Sequence, residues 1–202
     1  MSAHDSSDKA VAYAAGSTRA TAAAEASLGA FEIVELAALR GRADDLRALA
    51  AARDITLPDM GRAAVADGTV TLCVRLNRWL LLVALPAARR LRASSASGPE
   101  KDALNRRAAG SEWRNACEGI ATVVDLSSAL APMRISDGAT GARLVAGSRV
   151  DLDAKTFQEG HAAATIIAQV QVILARLPGA MLVLTPSTTA RHFQEWLGAH
   201  EQ

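Results

Sequence analysis

The stretch from residue 123 to residue 165 reads VVDLSSALAPMRISDGATGARLVAGSRVDLDAKTFQEGHAAAT, and the fold of the chain is organised around it. Apolar and β-branched runs predict a strand over residues 120–126 and a second strand over 133–136. Asp137-Gly138 is a turn signal, and its carboxylate can cap a short helix over 139–145. No nucleophile, metal motif or phosphate loop interrupts this order. The stretch therefore predicts a chemically quiet unit of strands, turn and helix.

The end of the same stretch carries two aspartates. Asp151 and Asp153 flank a single leucine where a short helical turn is predicted to run towards Phe157, and Gly160 then breaks the chain. Paired carboxylates can perform acid–base chemistry when burial separates their pKa values. Aspartates at a helix start are more often capping residues, and capping is the interpretation that we favour.

The C-terminal part predicts further strands and one helix. Residues 161–176 are long enough for a helix, but the β-branched residues between Thr165 and Ile173 favour two strands with a tight bend near Ala168-Gln169. A further strand is predicted over 180–184. The last helix is predicted to begin with Ser187 as its N-cap. Its buried stripe consists of Phe193, Trp196 and Leu197.

Upstream, the chain predicts a strand, a helix and a hairpin. Residues 31–36 alternate in part and predict the strand, and residues 42–53 carry apolar side chains at helical spacing. Residues 70–76 alternate between apolar and polar types, which predicts a strand buried on one face. Asn77 tolerates the positive φ of a tight turn, so that residues 79–85 are expected to return as the partner strand around Trp79.

Together these elements predict an α+β protein of two βαββ-type halves that share one core. We expect a flexible N-terminal extension over residues 1–27, a first half over 28–85, a basic helical linker over 86–119 and a second half over 120–202. A helix is predicted within the linker, from Pro99 to Cys117. The arginines of the linker could bind phosphates or an acidic partner, although such a run is more often a solvated helix face.

Composition and charge exclude several classes of protein. The 202 residues carry a formal net charge of +1, which gives no global attraction to nucleic acid or to an anionic membrane. The longest apolar run, residues 79–85, is too short to span a membrane. Residues 1–10 lack the cationic start of a signal peptide, and the two cysteines have no disulfide or metal spacing. We therefore expect a soluble, cytoplasmic protein.

The reactive residue types form no catalytic or metal motif. Cys73 has no histidine nearby in sequence that would activate it, so we expect a packed thiol. His192 and His200 lie eight residues apart on the last helix without a neighbouring cysteine. Zinc sites need three or four convergent ligands. We predict no catalytic residue and no metal ligand in this chain.

At the opening stretch the sequence resembles the gamma subunit of heterotetrameric sarcosine oxidase, a relative of the folate-binding T-protein fold of glycine cleavage. The resemblance covers residues 123–199, whereas the N-terminal half matches only in layout and around Trp79. The alanine-rich start and the arginine-rich linker depart from the family pattern. The positions that carry the motif are Asp125, Ser127, Gly138, Ala142, Arg143, Asp151, Phe157, Gly160 and Trp196.

The resemblance implies a place in a larger enzyme. Complexes of this family oxidise sarcosine or related N-methyl and secondary amines, with a flavin as hydride acceptor. The resemblance implies that FAD, FMN, NAD and tetrahydrofolate are bound by the larger partner subunits and zinc by a small one. The gamma subunit would bind none of them. It would pack against the T-protein-like alpha subunit, with beta and delta subunits in the same complex.

Two other functions stay open from the sequence. The first is a stand-alone folate-binding protein of the T-protein superfamily, with Asp125 as the candidate contact to the pterin. The chain has three Trp, three Phe and one Tyr, which supplies few rings for such a pocket. The second is an RNA-binding module that uses the arginines of residues 89–107, although no interleaved aromatic residues support it.

Overall fold

The computed structural model describes residues 31–66, 68–84, 108–136 and 139–198, which form nine strands and four helices. The strands are β1 (Phe31–Ala38), β2 (Arg62–Ala66), β3 (Thr69–Arg75), β4 (Arg78–Ala84), β5 (Ala121–Asp125), β6 (Leu130–Ser136), β7 (Ala162–Ile167), β8 (Val170–Leu177) and β9 (Ala180–Pro186). The helices are α1 (Ala43–Ala51), α2 (Ala108–Ala116), α3 (Ala139–Gly147) and α4 (Ala190–Gly198). The predicted α+β class is confirmed.

The strands form two antiparallel sheets. The first sheet has the order β2-β3-β4-β1-β5 and the second has the order β6-β9-β8-β7. Val34 of β1 lies opposite Leu81 of β4 on one side and opposite Asp125 of β5 on the other. Strand β5 therefore belongs to the first sheet, although the sequence places it at the start of the second half. The chain crosses between the two sheets after Asp125.

Three layers of apolar side chains fill the spaces between the sheets and the helices. Between the two sheets lie Ile33, Val70, Leu72, Leu80, Leu82, Ala162, Ala175, Leu182 and Leu184. Between the first sheet and helices α1 and α2 lie Val34, Leu36, Leu46, Ala50, Leu57, Cys73, Trp79, Leu81, Trp113 and Cys117. Between the second sheet and helices α3 and α4 lie Met133, Ile135, Leu144, Leu152, Phe157, Ile167, Val170, Val172, Leu174, Met181, Val183, Phe193 and Leu197. The order of layers is helices, sheet, sheet, helices.

Backbone hydrogen bonds join the two sheets at one corner. The N–H of Ala63 donates to the carbonyl of Gly160, and the N–H of Ala162 donates to the carbonyl of Gly61, both at 2.8 Å. Gly61 and Gly160 have φ angles of +78° and +77°, which residues with a Cβ rarely adopt. A Cβ on Gly160 would also lie 3.4 Å from the Ala63 carbonyl oxygen. The two glycines therefore allow the close approach of the sheets.

In the first sheet the sequence analysis misses one strand, and its prediction for the burial of another is wrong. Residues 62–66 form β2, which the alanine-rich sequence does not signal, because β2 is ordered by its pairing with β3. Strand β3 was predicted to be buried on one face and is buried on both. Leu72 packs between the sheets, whereas Cys73 packs against the helices. In both strands, contacts with other parts of the fold determine the structure more than the local sequence pattern does.

The predicted tight turns are confirmed. Asn77 lies between β3 and β4 with a φ of 58°. Ala168 and Gln169 lie between β7 and β8 with φ angles of 49° and 66°, the two positive values of a type I′ hairpin. The β-branched stretch of residues 161–176 is therefore a hairpin, as predicted, and not a helix.

The start of the last helix differs from the prediction. Helix α4 begins at Ala190, and the N–H of Phe193 donates to the carbonyl of Thr189. Thr189, rather than Ser187, therefore occupies the N-cap position. The Ser187 hydroxyl instead donates to the carbonyl of Ser128 at 2.8 Å. The Ser187 side chain therefore bonds to the neighbouring crossover and does not cap α4.

Several predictions fall on residues outside the described ranges. They include the N-terminal extension, most of the basic linker, the start of its predicted helix at Pro99, and the Asp137-Gly138 turn. The described end of the linker forms α2, which ends at Ala116, next to the predicted Cys117. None of the helices in the described ranges is long and apolar enough to cross a membrane.

Candidate functional site

The motif residues identified from the sequence occupy three separate places. Asp125 and Ser127 lie at the crossover between the sheets. Gly138 lies outside the described residues. The other members fall into two groups: Ala142, Arg143 and Trp196 on helices α3 and α4, and Asp151, Phe157 and Gly160 in the loop before β7.

The crossover is held to β1 by a short hydrogen-bond chain. The Asp125 carboxylate accepts bonds from the Ser127 N–H at 2.9 Å and from the Ser127 hydroxyl at 2.6 Å. The Ser127 hydroxyl oxygen in turn accepts the N–H of Ile33 at 3.0 Å. Leu126 adds a bond from its N–H to the Ile33 carbonyl at 2.8 Å. Asp125 therefore orients Ser127, and Ser127 continues the pairing of β1 past the end of β5.

The other side of the crossover is held to β9. The N–H of Ser187 donates to the Ala129 carbonyl at 2.9 Å, and the Ser187 hydroxyl donates to the Ser128 carbonyl at 2.8 Å. Residues 127–129 thus bond to Ile33 of β1 and to Ser187, the residue that follows β9. The crossover fixes the spacing of the two sheets at the edge opposite the glycine corner.

Arg143 joins the two helices that cover the second sheet. Its guanidinium donates to the Leu197 carbonyl near the end of α4 at 2.8 Å, and it stacks 5.6 Å from the Trp196 ring centre. Trp196 is half-buried, whereas Phe193 and Leu197 of the same helix are buried. A Cβ on Gly147 would lie only 2.5 Å from the Trp196 ring. Arg143 therefore covers the Trp196 ring, and this ring can pack against α3 because Gly147 has no side chain. Ala142 is exposed.

The loop before β7 is shaped by its aspartates. Asp151 accepts the N–H of Asp153 at 3.0 Å, and Asp153 accepts the N–H of Lys155 at 2.8 Å. Hydrogen bonds from the Asp153 N–H and then from the Thr156 side chain lower the pKa of Asp151. Phe157 is buried and meets the His161 ring edge-on at 5.7 Å. Both carboxylates therefore stabilise turns.

Reactive side chains do not converge within the described ranges. No group of three or more His, Cys, Asp or Glu residues that could hold a metal ion occurs there. Cys73 and Cys117 are free and buried, and burial raises the pKa of both thiols. The nearby Arg47 and Arg53 guanidinium groups oppose that rise at Cys73 and Cys117, respectively. Both thiols are protonated packing groups at neutral pH, as predicted for Cys73.

One buried carboxylate was not identified from the sequence. Glu32 is 3% exposed, and its Oε1 atom accepts the N–H of Gly110 in the first turn of α2 at 3.0 Å. A carboxylate at a helix N-terminus is favoured by the helix dipole. The available signal was a glutamate on the same face of β1 as Val34 and Leu36, two residues that pack under the helices. Glu32 therefore fastens α2 to the first sheet.

The geometry defines a class: an α+β protein of two face-to-face antiparallel sheets, with a pair of helices on each outer face. The same fold occurs in a chain of the heterotetrameric sarcosine oxidase from Corynebacterium sp. U-96 in complex with pyrrole 2-carboxylate. The TM-score is 0.63 and 20% of the aligned residues are identical, over 92% of this chain and 91% of that chain. Since the two shares are nearly equal, the two chains have nearly the same length. At 20% sequence identity, this structural similarity shows the fold alone.

The comparisons by sequence give no match. No family model matches the chain, and no curated protein matches it.

Proposed function

We propose that this chain is the non-catalytic gamma subunit of a heterotetrameric, flavin-dependent complex of the sarcosine oxidase type. In this role it stabilises the T-protein-like alpha subunit, while the alpha, beta and delta subunits carry FAD, FMN, NAD, tetrahydrofolate and zinc. The complex oxidises sarcosine or a related N-methyl or secondary amine, and its location is the cytoplasm.

One observation carries this proposal. One chain of a heterotetrameric sarcosine oxidase has a similar fold over 92% of this chain and 91% of its own length. The motif positions point in the same direction independently of that likeness, because the sequence resemblance to the gamma subunit rests on residues 123–199. A fold by itself hosts many functions, so the proposal joins the fold to this resemblance.

The hydrogen bonding of the polar motif residues supports a structural role. The Asp125 carboxylate, the candidate folate contact, already accepts two bonds from Ser127. Asp151 and Asp153 accept backbone N–H groups within their own loop. These groups hold turns and a crossover, which is the work expected of a scaffold subunit. No described contact favours the stand-alone folate-binding alternative.

The test is to isolate the chain from its native host through an affinity tag and to identify what accompanies it. The proposal predicts a yellow complex with the absorption of bound flavin, containing larger subunits and oxidising sarcosine or a related amine. A tagged chain with Leu144→Asp, which places a carboxylate at a fully buried position of α3 and is expected to destabilise the fold, is the control. Recovery of the folded chain alone, without any flavoprotein, contradicts the proposal.

A further inference from the structure

The outer edge of β5 is an unpaired strand edge within the described ranges. Strand β5 is the last strand of the first sheet and pairs with β1 on one side. Its sequence, ATVVD, contains the β-branched run of residues 122–124, which favours extended backbone. An edge strand presents free N–H and C=O groups and pairs readily with another strand unless the fold blocks it.

Two hydrogen bonds determine which backbone groups of β5 face β1. The Ile120 carbonyl accepts the N–H of Leu39 at 2.9 Å, and the N–H of Leu126 donates to the Ile33 carbonyl at 2.8 Å. In an antiparallel pair of strands, every second residue bonds to the same neighbour. The even-numbered residues of β5 therefore bond to β1, and the odd-numbered ones direct their backbone groups away from it.

The outward backbone groups are free at two of these positions. The N–H of Ala121 donates to the Cys117 carbonyl at the end of α2, at 2.9 Å. Among the residues that the structure describes, no backbone partner bonds to the outward groups of Val123 or Asp125. These two residues therefore offer donors and acceptors in the alternating pattern that an added strand needs.

The other three edge strands are joined to a neighbour or blocked. Strands β2 and β7 bond to each other at the glycine corner, beside Gly61 and Gly160. On β6, the N–H of Ser187 donates to the Ala129 carbonyl, so that Pro132 lies at an outward-facing position. Proline has no N–H, and at an edge it discourages the addition of a strand. Strand β5 contains neither proline nor lysine, so its edge is the one suited to accept a strand.

The two long segments outside the described ranges are poor sources of that strand. Residues 85–107 contain no β-branched and no aromatic residue. In residues 1–30 no two such residues are adjacent, and those present are Val11, Tyr13, Thr18 and Thr21. Strand-forming runs are rich in these residue types, so neither segment is predicted to extend a sheet. The strand that pairs with β5 is therefore expected to come from another chain.

We infer that β5 accepts an extended strand of the larger alpha subunit in the proposed complex, which lengthens the first sheet by one strand. The added strand bonds to the outward groups of Val123 and Asp125, and its side chains cover Val124, which is 40% exposed. This inference rests on the proposed function. Because the proposed complex has four different subunits, a second copy of this chain is not the expected occupant.

Hydrogen exchange of single amides tests the inference without any substitution. In the isolated full-length chain, the Thr122 and Val124 amides should exchange slowly because they bond to β1, whereas the Val123 and Asp125 amides should exchange fast. Binding to the host's flavoprotein, prepared without this chain, should slow the Val123 and Asp125 amides at least about tenfold. If these amides stay fast in the complex, or are already slow in the isolated monomer, the inference is wrong.

A matched pair of substitutions measures what one outward donor contributes to the affinity. Val123→Pro removes the outward N–H and leaves the bonds to β1, whereas Val123→Ala keeps that N–H and removes only side-chain contacts. Val123→Pro is expected to weaken binding to the same flavoprotein about fivefold more than Val123→Ala, as for the loss of one hydrogen bond. Thermal unfolding of the isolated variants shows whether each is folded. Equal affinities of the two folded variants would contradict the inference.

The outcomes separate the two proposals. If the unmodified chain binds no flavoprotein, the proposed function fails and the strand addition fails with it. If the chain binds while the Val123 and Asp125 amides stay fast, only the strand addition fails. If these amides are protected in a dimer of the isolated chain and not in the complex, the occupant is a second copy, and the inference is overturned.

Discussion

The two helix-covered outer faces of the molecule differ in how the chain builds them. The face under α3 and α4 is assembled from one continuous segment, residues 130–198. The face under α1 and α2 is assembled from two segments that are far apart in sequence, residues 31–84 and 108–125. Both faces use tryptophans covered by arginines: Arg143 lies over Trp196, Arg47 over Trp79 and Arg53 over Trp113.

The difference shows where each face is vulnerable. On the continuous face, Gly147 and Trp196 touch so closely that one added carbon atom disturbs the packing of two helices. On the discontinuous face, α2 is attached through its side chains and through the bond from Gly110 to Glu32. We therefore expect the continuous face to be sensitive to changes in volume and the discontinuous face to be sensitive to the loss of an anchor.

The largest effect is expected on the continuous face from Phe193→Ala. The Phe193 ring is fully buried, so the substitution removes its contacts and leaves a cavity, which destabilises the protein by about 3–5 kcal/mol. Urea denaturation measures the change in the free energy of unfolding. Gln194→Ala, at the exposed neighbouring position, should change it by less than about 0.5 kcal/mol. A loss below about 1 kcal/mol for Phe193→Ala would show that this layer is not packed as described.

On the discontinuous face, Glu32→Ala removes the anchor of α2. The Gly110 N–H then loses a charged acceptor, which costs about 1.5–3 kcal/mol. Glu32→Ala should increase the hydrogen-exchange rate of the α2 amides more than that of the amides in the second sheet. Glu35→Ala is the matched control on the same strand, since its ion pair with the half-exposed Arg78 contributes at most about 1 kcal/mol. Equal exchange rates in both variants would contradict an anchoring role of Glu32.

A smaller loss is expected from Gly147→Ala. The new Cβ would lie 2.5 Å from the Trp196 ring and 3.2 Å from Ile167, and relieving this overlap costs about 1–3 kcal/mol. Alanine is the better helix former by about 1 kcal/mol, which offsets part of that cost. Gly198→Ala meets nothing within 4 Å and serves as the control that retains only the gain. If both variants are stabilised equally in thermal unfolding, Trp196 does not press on α3.

The smallest effect concerns pH and the two cysteines of the discontinuous face. Burial raises the pKa of both thiols in the folded state, so the folded protein disfavours the thiolate. Stability is therefore fully present below the ordinary thiol pKa and falls as the pH rises through and above it. The double variant Cys73→Ala, Cys117→Ala should have a flatter alkaline limb in a plot of stability against pH. An unchanged slope would mean that these thiols do not titrate on unfolding.

The same difference between the faces explains what the sequence could predict. On the continuous face, the strands, the bend at Ala168-Gln169 and the buried Phe193 and Leu197 follow from local patterns. Strand β2 and the placement of β5 depend on partners that are distant in sequence, so no local period signals them. The same limit applies to Glu32, whose partner Gly110 lies 78 residues away.

At the predicted motif, the residue types indicated turns, but the sequence did not indicate which residues they contact. Asp125 and Ser127 are typical turn residues, and they do hold a turn. The bond of Ser127 to β1 requires Ile33 to lie nearby, and the bonds of the next two residues, Ser128 and Ala129, require Ser187. Only the tertiary fold brings these partners together. Ser187 itself suits a helix N-cap by its type, and a competing carbonyl at Ser128 takes its hydroxyl.

The most direct test of the account compares the amine-oxidising complex of the native host with and without this chain. A non-catalytic, stabilising subunit predicts that the initial rate of amine oxidation per bound flavin is unchanged when the chain is absent. The half-life of that activity on warming should become shorter, and adding the purified chain should restore it. A lower initial rate per bound flavin with an unchanged half-life would contradict the account, because it would place part of the chemistry in this chain.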